Sequence, residues 1–266
     1  MAWEKVCTPK KNGGLRIINL QIWNKICLSR LLWNICRKAD TLWVRWVHMY
    51  YIKNADVLQK DIKGSGSWIT KQVLKIRNDN RLVYMGNGFR TGALYKEQMT
   101  HLPKVDWRVF VCKNRARPRA VFILWLACQN KLATKYRMGK FGVATDMKCM
   151  FCSYNEDVQH LFFECSYTKK IWEVVLGWLN ISHTVQGWCQ ERKWLEIFCR
   201  SKNWRSKFVQ VAIAETIYNV WIERNKMVFS RNYSEGLVMD SIIENTVNRI
   251  WVSPKYRERV ASLLVN

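Results

Sequence analysis

A chain of 266 residues, 49% of them hydrophobic, is long enough to bury a sizeable core and too apolar to be disordered. Forty-four Lys and Arg against twenty Asp and Glu leave a net charge of +24, which points to polyanionic partners, nucleic acid ahead of an acidic membrane surface. The longest apolar run, Ala120–Cys128, is too short to span a bilayer, and the opening residues carry no apolar signal core, so no membrane partner is expected. The ten cysteines are accordingly read as free thiols in an intracellular, reducing compartment, with nucleus and cytoplasm not distinguished.

In chain order, residues 1–15 read as extended or looped, because Pro9 and Gly13-Gly14 interrupt regular structure. Leu20 to Lys38 is helical, with Asn19 as N-cap. Ile22, Ile26, Ser29 and Trp33 form one line, and Leu20, Trp23, Cys27 and Leu31 its neighbour. A second helix runs from about Thr41 to Ile52, capped by Asp40 or Thr41, with Trp43, Val47 and Tyr50 or Tyr51 inward. Gly64-Ser65-Gly66-Ser67 is a loop, and Trp68 to Arg77 a short helix. Arg81 to Arg90, with Gly86-Asn87-Gly88, reads as a small hairpin. Pro118 fits the first turn of an apolar helix. Ser166 to Leu179 is helical with Ile171, Trp172, Val175, Leu176 and Leu179 inward, and 180–205 is a Trp-rich connection. A long helix from Trp204 to Phe229 has an apolar stripe of Ile213, Ile217, Val220, Trp221 and Val228. Arg205, Lys207, Glu215, Glu223, Arg224 and Lys226 are assigned to its wet side. The last helical stretch, 237–264, is broken at Ser253-Pro254. The fold class is mainly α, with bundle-like helical segments around a small Cys/His loop and room for a short β-hairpin.

The chemistry-bearing motif is Cys149-x2-Cys152-x7-His160-x4-Cys165. Three thiolates and an imidazole are the donor set of a closed tetrahedral structural zinc site, which keeps no open position for catalysis. The alternative is that these are ordinary packed cysteines, since a free Cys behaves as a small hydrophobe. Packing is the default for Cys7, Cys27, Cys36, Cys112, Cys128, Cys189 and Cys199, which show no metal-like pairing.

Residues 101–140 hold ten basic residues against one acidic, Asp106. Lys113, Arg115, Arg117, Arg119, Lys131, Lys135, Arg137 and Lys140 are the candidate nucleic-acid contacts. Arginine forks suit phosphate oxygens. Arg115, Arg117 and Arg119 sit at a helix N-terminus whose dipole they oppose, a placement that an anionic partner would offset. The competing reading is a solvated basic turn. Trp107, Trp125 and Trp172 could stack on bases, but Trp at helical spacing is more often core, and no stacking residue is assigned.

The segment from Cys149 through Asp157–Cys165 to Trp172 resembles the zinc-binding domain that follows the polymerase in plant LINE-type (non-LTR) retrotransposon reverse transcriptases. Arg117–Ala127, Leu132–Lys135 and Arg137–Gly142 are similar to that family's preceding helix, turn and next helix. The likeness is good over about 90–180. It weakens toward Ala2–Leu15, similar to the segment after the polymerase core, and toward Trp221–Lys226, similar to a motif near the end of such reading frames.

Soft boundaries near 60–66 and 98–106, read together with the resemblance, divide the chain into four regions. Residues 1–62 are a helical region after the polymerase core, 63–100 a connector, 101–180 the zinc-binding domain, and 181–266 a C-terminal helical region. The resemblance implies zinc as cofactor, and RNA, DNA or their hybrid as partner, with a polymerase domain acting in trans.

The paired aspartates that polymerases use to hold two metals are missing, as are a P-loop and a G-x-S-x-G elbow. His48, His101 and His183 read as structural or surface residues. The expectation is a non-catalytic, nucleic-acid-binding accessory module, from a truncated copy or a host-retained remnant. A structural or protein-interaction module, or a decayed element without activity of its own, is the competing expectation.

Overall fold

The computed structural model describes residues 2–53, 55–59, 67–78, 88–99, 101–143, 146–201, 203–229 and 238–264. The chain divides into two compact units, Met1–Lys104 and Val105–Asn266. Among the described residues there are helices and no strands, as the mainly α reading requires. The expected hairpin at Arg81–Arg90 lies largely outside the described residues, as does most of the expected loop at 64–67.

The first unit is built on α2 (Leu20–Cys36). Asn19 caps it, its side-chain oxygen accepting the backbone N–H groups of Gln21 and Ile22 at 3.0 and 3.3 Å. Around α2 lie α3 (Leu42–Val47), a π turn at His48–Ile52, α4 (Trp68–Lys75) and α5 (Thr91–Glu97). Leu32, Ile35, Val44, Val47, Ile52 and Val73 form one apolar core, and Ile26 with Leu94 a second. Thr41 caps α3 through the Val44 N–H. One expectation fails here. Residues 1–15 are not all loop, because α1 (Trp3–Cys7) and a 3-10 turn at Lys10–Asn12 form on either side of Pro9. Of the alternatives Tyr50 and Tyr51, the half-buried one is Tyr51. The π turn adds a residue to the helical repeat and rotates Tyr50 outward, 61% exposed and beside Trp46.

The second unit contains α6 (Arg108–Val111), α7 (Pro118–Cys128), α8 (Lys135–Gly139), α9 (Ser166–Trp178), α10 (Trp188–Phe198), α11 (Trp204–Phe229), α12 (Val238–Trp251) and α13 (Arg257–Leu264). Its centre is α11, which packs against α7, α9 and α12. Every residue from Phe208 to Ile217 is buried, so α11 has no wet side over that stretch.

This overturns the placement of Glu215, Glu223 and Arg224 in solvent, since all three are buried. Glu215 is held by Arg117, the residue immediately before α7. One carboxylate oxygen accepts the Arg117 backbone N–H at 3.0 Å, and the other accepts Nε at 2.9 Å. The guanidinium also lies over the Tyr218 ring, 4.9 Å from its centroid. The stretch 180–205 likewise holds more structure than expected. Trp188 and Leu195 are buried on α10, and Glu191 accepts from the Trp172 indole at 3.1 Å, from His183 at 2.9 Å and from the Gln186 N–H at 2.9 Å. As expected, α9 turns Ile171, Trp172, Val175 and Leu176 inward, with Leu179 buried just beyond it.

Removing one member of the Arg117–Glu215 pair strands a buried carboxylate. Arg117→Ala should therefore cost roughly 2–3 kcal/mol, less than a fully buried pair because Arg117 is partly exposed. The double change Arg117→Leu/Glu215→Leu should recover much of that loss. Thermal melting of the three proteins tests this, and a single variant as stable as wild type would contradict it.

Candidate metal centre and basic surface

The four ligand-type residues meet through two turns. Cys149 and Cys152 flank a tight reversal closed by an isolated antiparallel bridge between Lys148 and Asn155. The Cys149 N–H donates to the Tyr154 carbonyl at 2.7 Å, and the Glu156 N–H to the Met147 carbonyl at 2.8 Å. The second turn carries His160 and Cys165. Asp157 accepts the His160 N–H at 2.7 Å, and the Cys165 N–H donates to the His160 carbonyl at 2.8 Å. That closure requires a left-handed residue, and the position falls to Phe163, with φ 80° and ψ −3°.

A bulky side chain at positive φ costs on the order of 1–3 kcal/mol. The surroundings hold it there: the Phe163 ring is buried, stacked 5.7 Å from Trp172 and tilted 6.2 Å from Trp188, and its N–H donates to the Thr168 hydroxyl at 3.3 Å.

The ligand atoms of Cys149, Cys152, His160 and Cys165 all lie within 4.8 Å of one another. Cys152 Sγ is 2.9 Å from His160 Nε2 and 3.8 Å from Cys165 Sγ. Cys165 stands at the start of α9, and its thiol is held below the ordinary range. The leading cause is the hydrogen bond from Cys149, with the backbone N–H groups of Thr168 and Tyr167 assisting against desolvation. The same contact and burial push Cys149 up. A dication would let all three ionise, so the donor set fits a metal ion. The remaining cysteines divide. Cys128 and Cys199 are buried, which pushes both thiols up to about 12. Cys36 and Cys189 are exposed, against the expectation of packing.

A buried ion pair ties this centre to the helices. Glu156, directly after the bridge, is 0% exposed, and Arg224 of α11 is 4% exposed. Glu156 accepts from Arg224 Nε at 3.0 Å and Nη2 at 2.6 Å. One of its carboxylate oxygens also accepts the Lys135 N–H at 2.8 Å, and its carbonyl accepts the Tyr136 N–H at 3.0 Å. Glu156 thus joins α8, the Cys149–Cys152 turn and α11. Sequence reading missed this residue. Its only local signal is a carboxylate beside the Cys/His spacing, and its partner lies 68 residues away.

The candidate basic residues separate into groups. Arg117 is turned to Glu215 in an internal pair and is about a third exposed. Lys135 pairs with Asp146 at 3.0 Å. Lys113 and Arg119 are exposed. Arg115 is exposed and lines a cavity of about 440 Å³ with Arg249 of α12, whose Nε donates to the Arg115 carbonyl at 3.0 Å. Lys131, Arg137 and Lys140 come together around a separate cavity of about 260 Å³. Trp107, Trp125 and Trp172 are buried and closed to base stacking. His48 bonds the Ile35 carbonyl at 2.9 Å, His183 stacks on Trp194 and pairs with Glu191, and His101 is exposed.

In comparison with known proteins, residues 89–172 match the family model described as zinc-binding in reverse transcriptase. That stretch includes all four ligand-type residues and reaches Trp172 in α9. A curated Arabidopsis thaliana protein, named as a putative ribonuclease H protein, is 37% identical over 41 residues. The match covers 15% of this chain and 7% of that protein. No solved structure matches. Among the described residues no helix is long and apolar enough to cross a membrane.

Replacing Arg224 with Met leaves Glu156 buried without its counter-ion. A loss of about 3–5 kcal/mol is expected, together with weaker metal retention, because Glu156 anchors the turn that carries Cys149 and Cys152. Melting and metal content measured on the same sample check both effects.

Proposed function

We propose that this chain is a zinc-organised, nucleic-acid-binding accessory module of the reverse-transcriptase type. The single observation that carries the reading is the convergence of Cys149, Cys152, His160 and Cys165 within 4.8 Å, inside the residues matched to a zinc-binding family. Three soft sulfurs and one imidazole favour zinc over magnesium or calcium, which take oxygen ligands. A Cys3His set fills a tetrahedral ion, so the metal's role is to hold the fold rather than activate water. Its natural effect is to fix α9 and the Glu156 junction, and through them α8.

The charge supplies the partner. A net +24 and exposed Lys113, Arg115, Arg119, Lys131 and Lys140, with Arg137 half-buried beside them, suit phosphate contacts with RNA, DNA or their hybrid. The role is accessory rather than catalytic, with any polymerase supplied by another domain or chain.

Elemental analysis of the purified, reduced protein should find about one zinc per chain, absent from Cys149→Ser or Cys152→Ser, whose second unit should also be destabilised. Affinity for any nucleic acid should fall steeply with salt. Arg115→Ala/Arg119→Ala should weaken all sequences alike and flatten the slope by roughly 0.7–0.9 for each phosphate no longer neutralised. Full metal content and melting in both cysteine variants would overturn the zinc reading. A salt-independent affinity would overturn the phosphate reading.

A further inference from the structure

We propose that the cavity between α8 and the turn bearing His160 is a subsite for one unpaired nucleotide of a single-stranded nucleic acid. This rests on the nucleic-acid reading above and narrows it to a strand type and a place. The cavity is about 260 Å³ and is lined by Lys131, Tyr136, Arg137, Lys140, Phe141 and Asp157, among others. Three cations therefore face one carboxylate. That carboxylate is already engaged, since Asp157 accepts the His160 N–H at 2.7 Å. Lys131 and Arg137 have no carboxylate partner within ion-pairing distance among the described residues, and Lys140 is set 4.5 Å over the Tyr136 ring instead. Unneutralised cations around a concavity focus a positive field on it, and a phosphate would relieve their mutual repulsion.

Charge alone would serve any polyanion, and the aromatic residues decide the class. Phe141 is 70% exposed and Tyr136 39% exposed, both on the rim of the same cavity. An exposed phenylalanine beside converging cations is the pairing that single-strand binders use, cations tracking the backbone and rings stacking on bases. A base pair hides its faces inside the duplex stack, so only an unpaired base can use Phe141.

The site is built rather than incidental. The Tyr136 N–H donates to the Glu156 carbonyl at 3.0 Å, so the helix bearing Tyr136 and Arg137 is pinned to the end of the Cys149–Cys152 turn. Asp157 supplies the opposite wall and also closes the turn that holds His160. Metal retention and the shape of this cavity are thereby linked.

The test is fluorescence anisotropy with a labelled 12-nucleotide oligouridylate and a 12-base-pair RNA duplex, using the full chain with its metal. Phe141→Ala should weaken the single strand about tenfold and leave the duplex within twofold. Its melting and metal content should stay unchanged, because the ring is mostly in solvent. Lys131→Ala/Lys140→Ala should weaken the single strand and lower its salt slope by roughly 1.4. If Phe141→Ala leaves single-strand affinity unchanged, the subsite is overturned while the broader reading stands. If an oligoglutamate peptide competes as well as the oligouridylate, the site is a general anion patch and the proposal also falls. If wild type binds neither probe, the nucleic-acid reading itself has failed.

Discussion

The carboxylate of Glu156 is the junction on which the second unit depends. It sits fully buried where the Cys149–Cys152 turn ends, and it is neutralised by Arg224 from the central helix α11. A charge in that position is tolerable only because its acceptor capacity is filled by a guanidinium fork and a backbone N–H. The same satisfaction that removes the desolvation cost fixes three separate elements at one point. The loop-rich segment 146–165 gains its place from this junction, from its four converging ligand-type residues and from the packing of Phe162 and Phe163 on Trp172 and Trp188.

The metal centre adds a second constraint of a different kind. Three thiols and an imidazole converge within 4.8 Å of one another, and the contact between Cys149 and Cys165 pushes the first thiol up and the second down. The chain also accepts a left-handed phenylalanine to bring His160 and Cys165 together. Strain at Phe163 is held by the aromatic packing of Trp172 and Trp188, residues of α9 and α10. The helices after the motif are therefore part of the centre and not an appendage to it.

Burial sorts the basic residues by role. Arg117 and Arg224 are internal counter-ions for Glu215 and Glu156, whereas Lys131, Arg137 and Lys140 surround an open cavity. Two positions apart in the chain, Arg115 and Arg117 differ completely: one lines an open hollow and the other is folded against a buried carboxylate. The two internal pairs leave the net charge unchanged and concentrate the uncompensated part of it on the surface.

Local spacing by itself determined the start of α2 on its cap Asn19 and the inward face of α9, whereas it offered Asp40 or Thr41 for α3 and the structure selects Thr41. It also picked out the Cys3His cluster that the structure brings together, because C-x2-C and a nearby His and Cys can meet through short turns alone. Helical periodicity could not place Glu215, Glu223 and Arg224. Periodicity assumes one dry face and one wet face, and α11 is wrapped by α7, α9 and α12. The partner of Glu156 and the gathering of Lys131, Arg137, Lys140 and Phe141 around one hollow were likewise decided by tertiary structure. Which charge is buried, and which charges face each other, depends on elements far apart in the chain, and only their packing sets those distances.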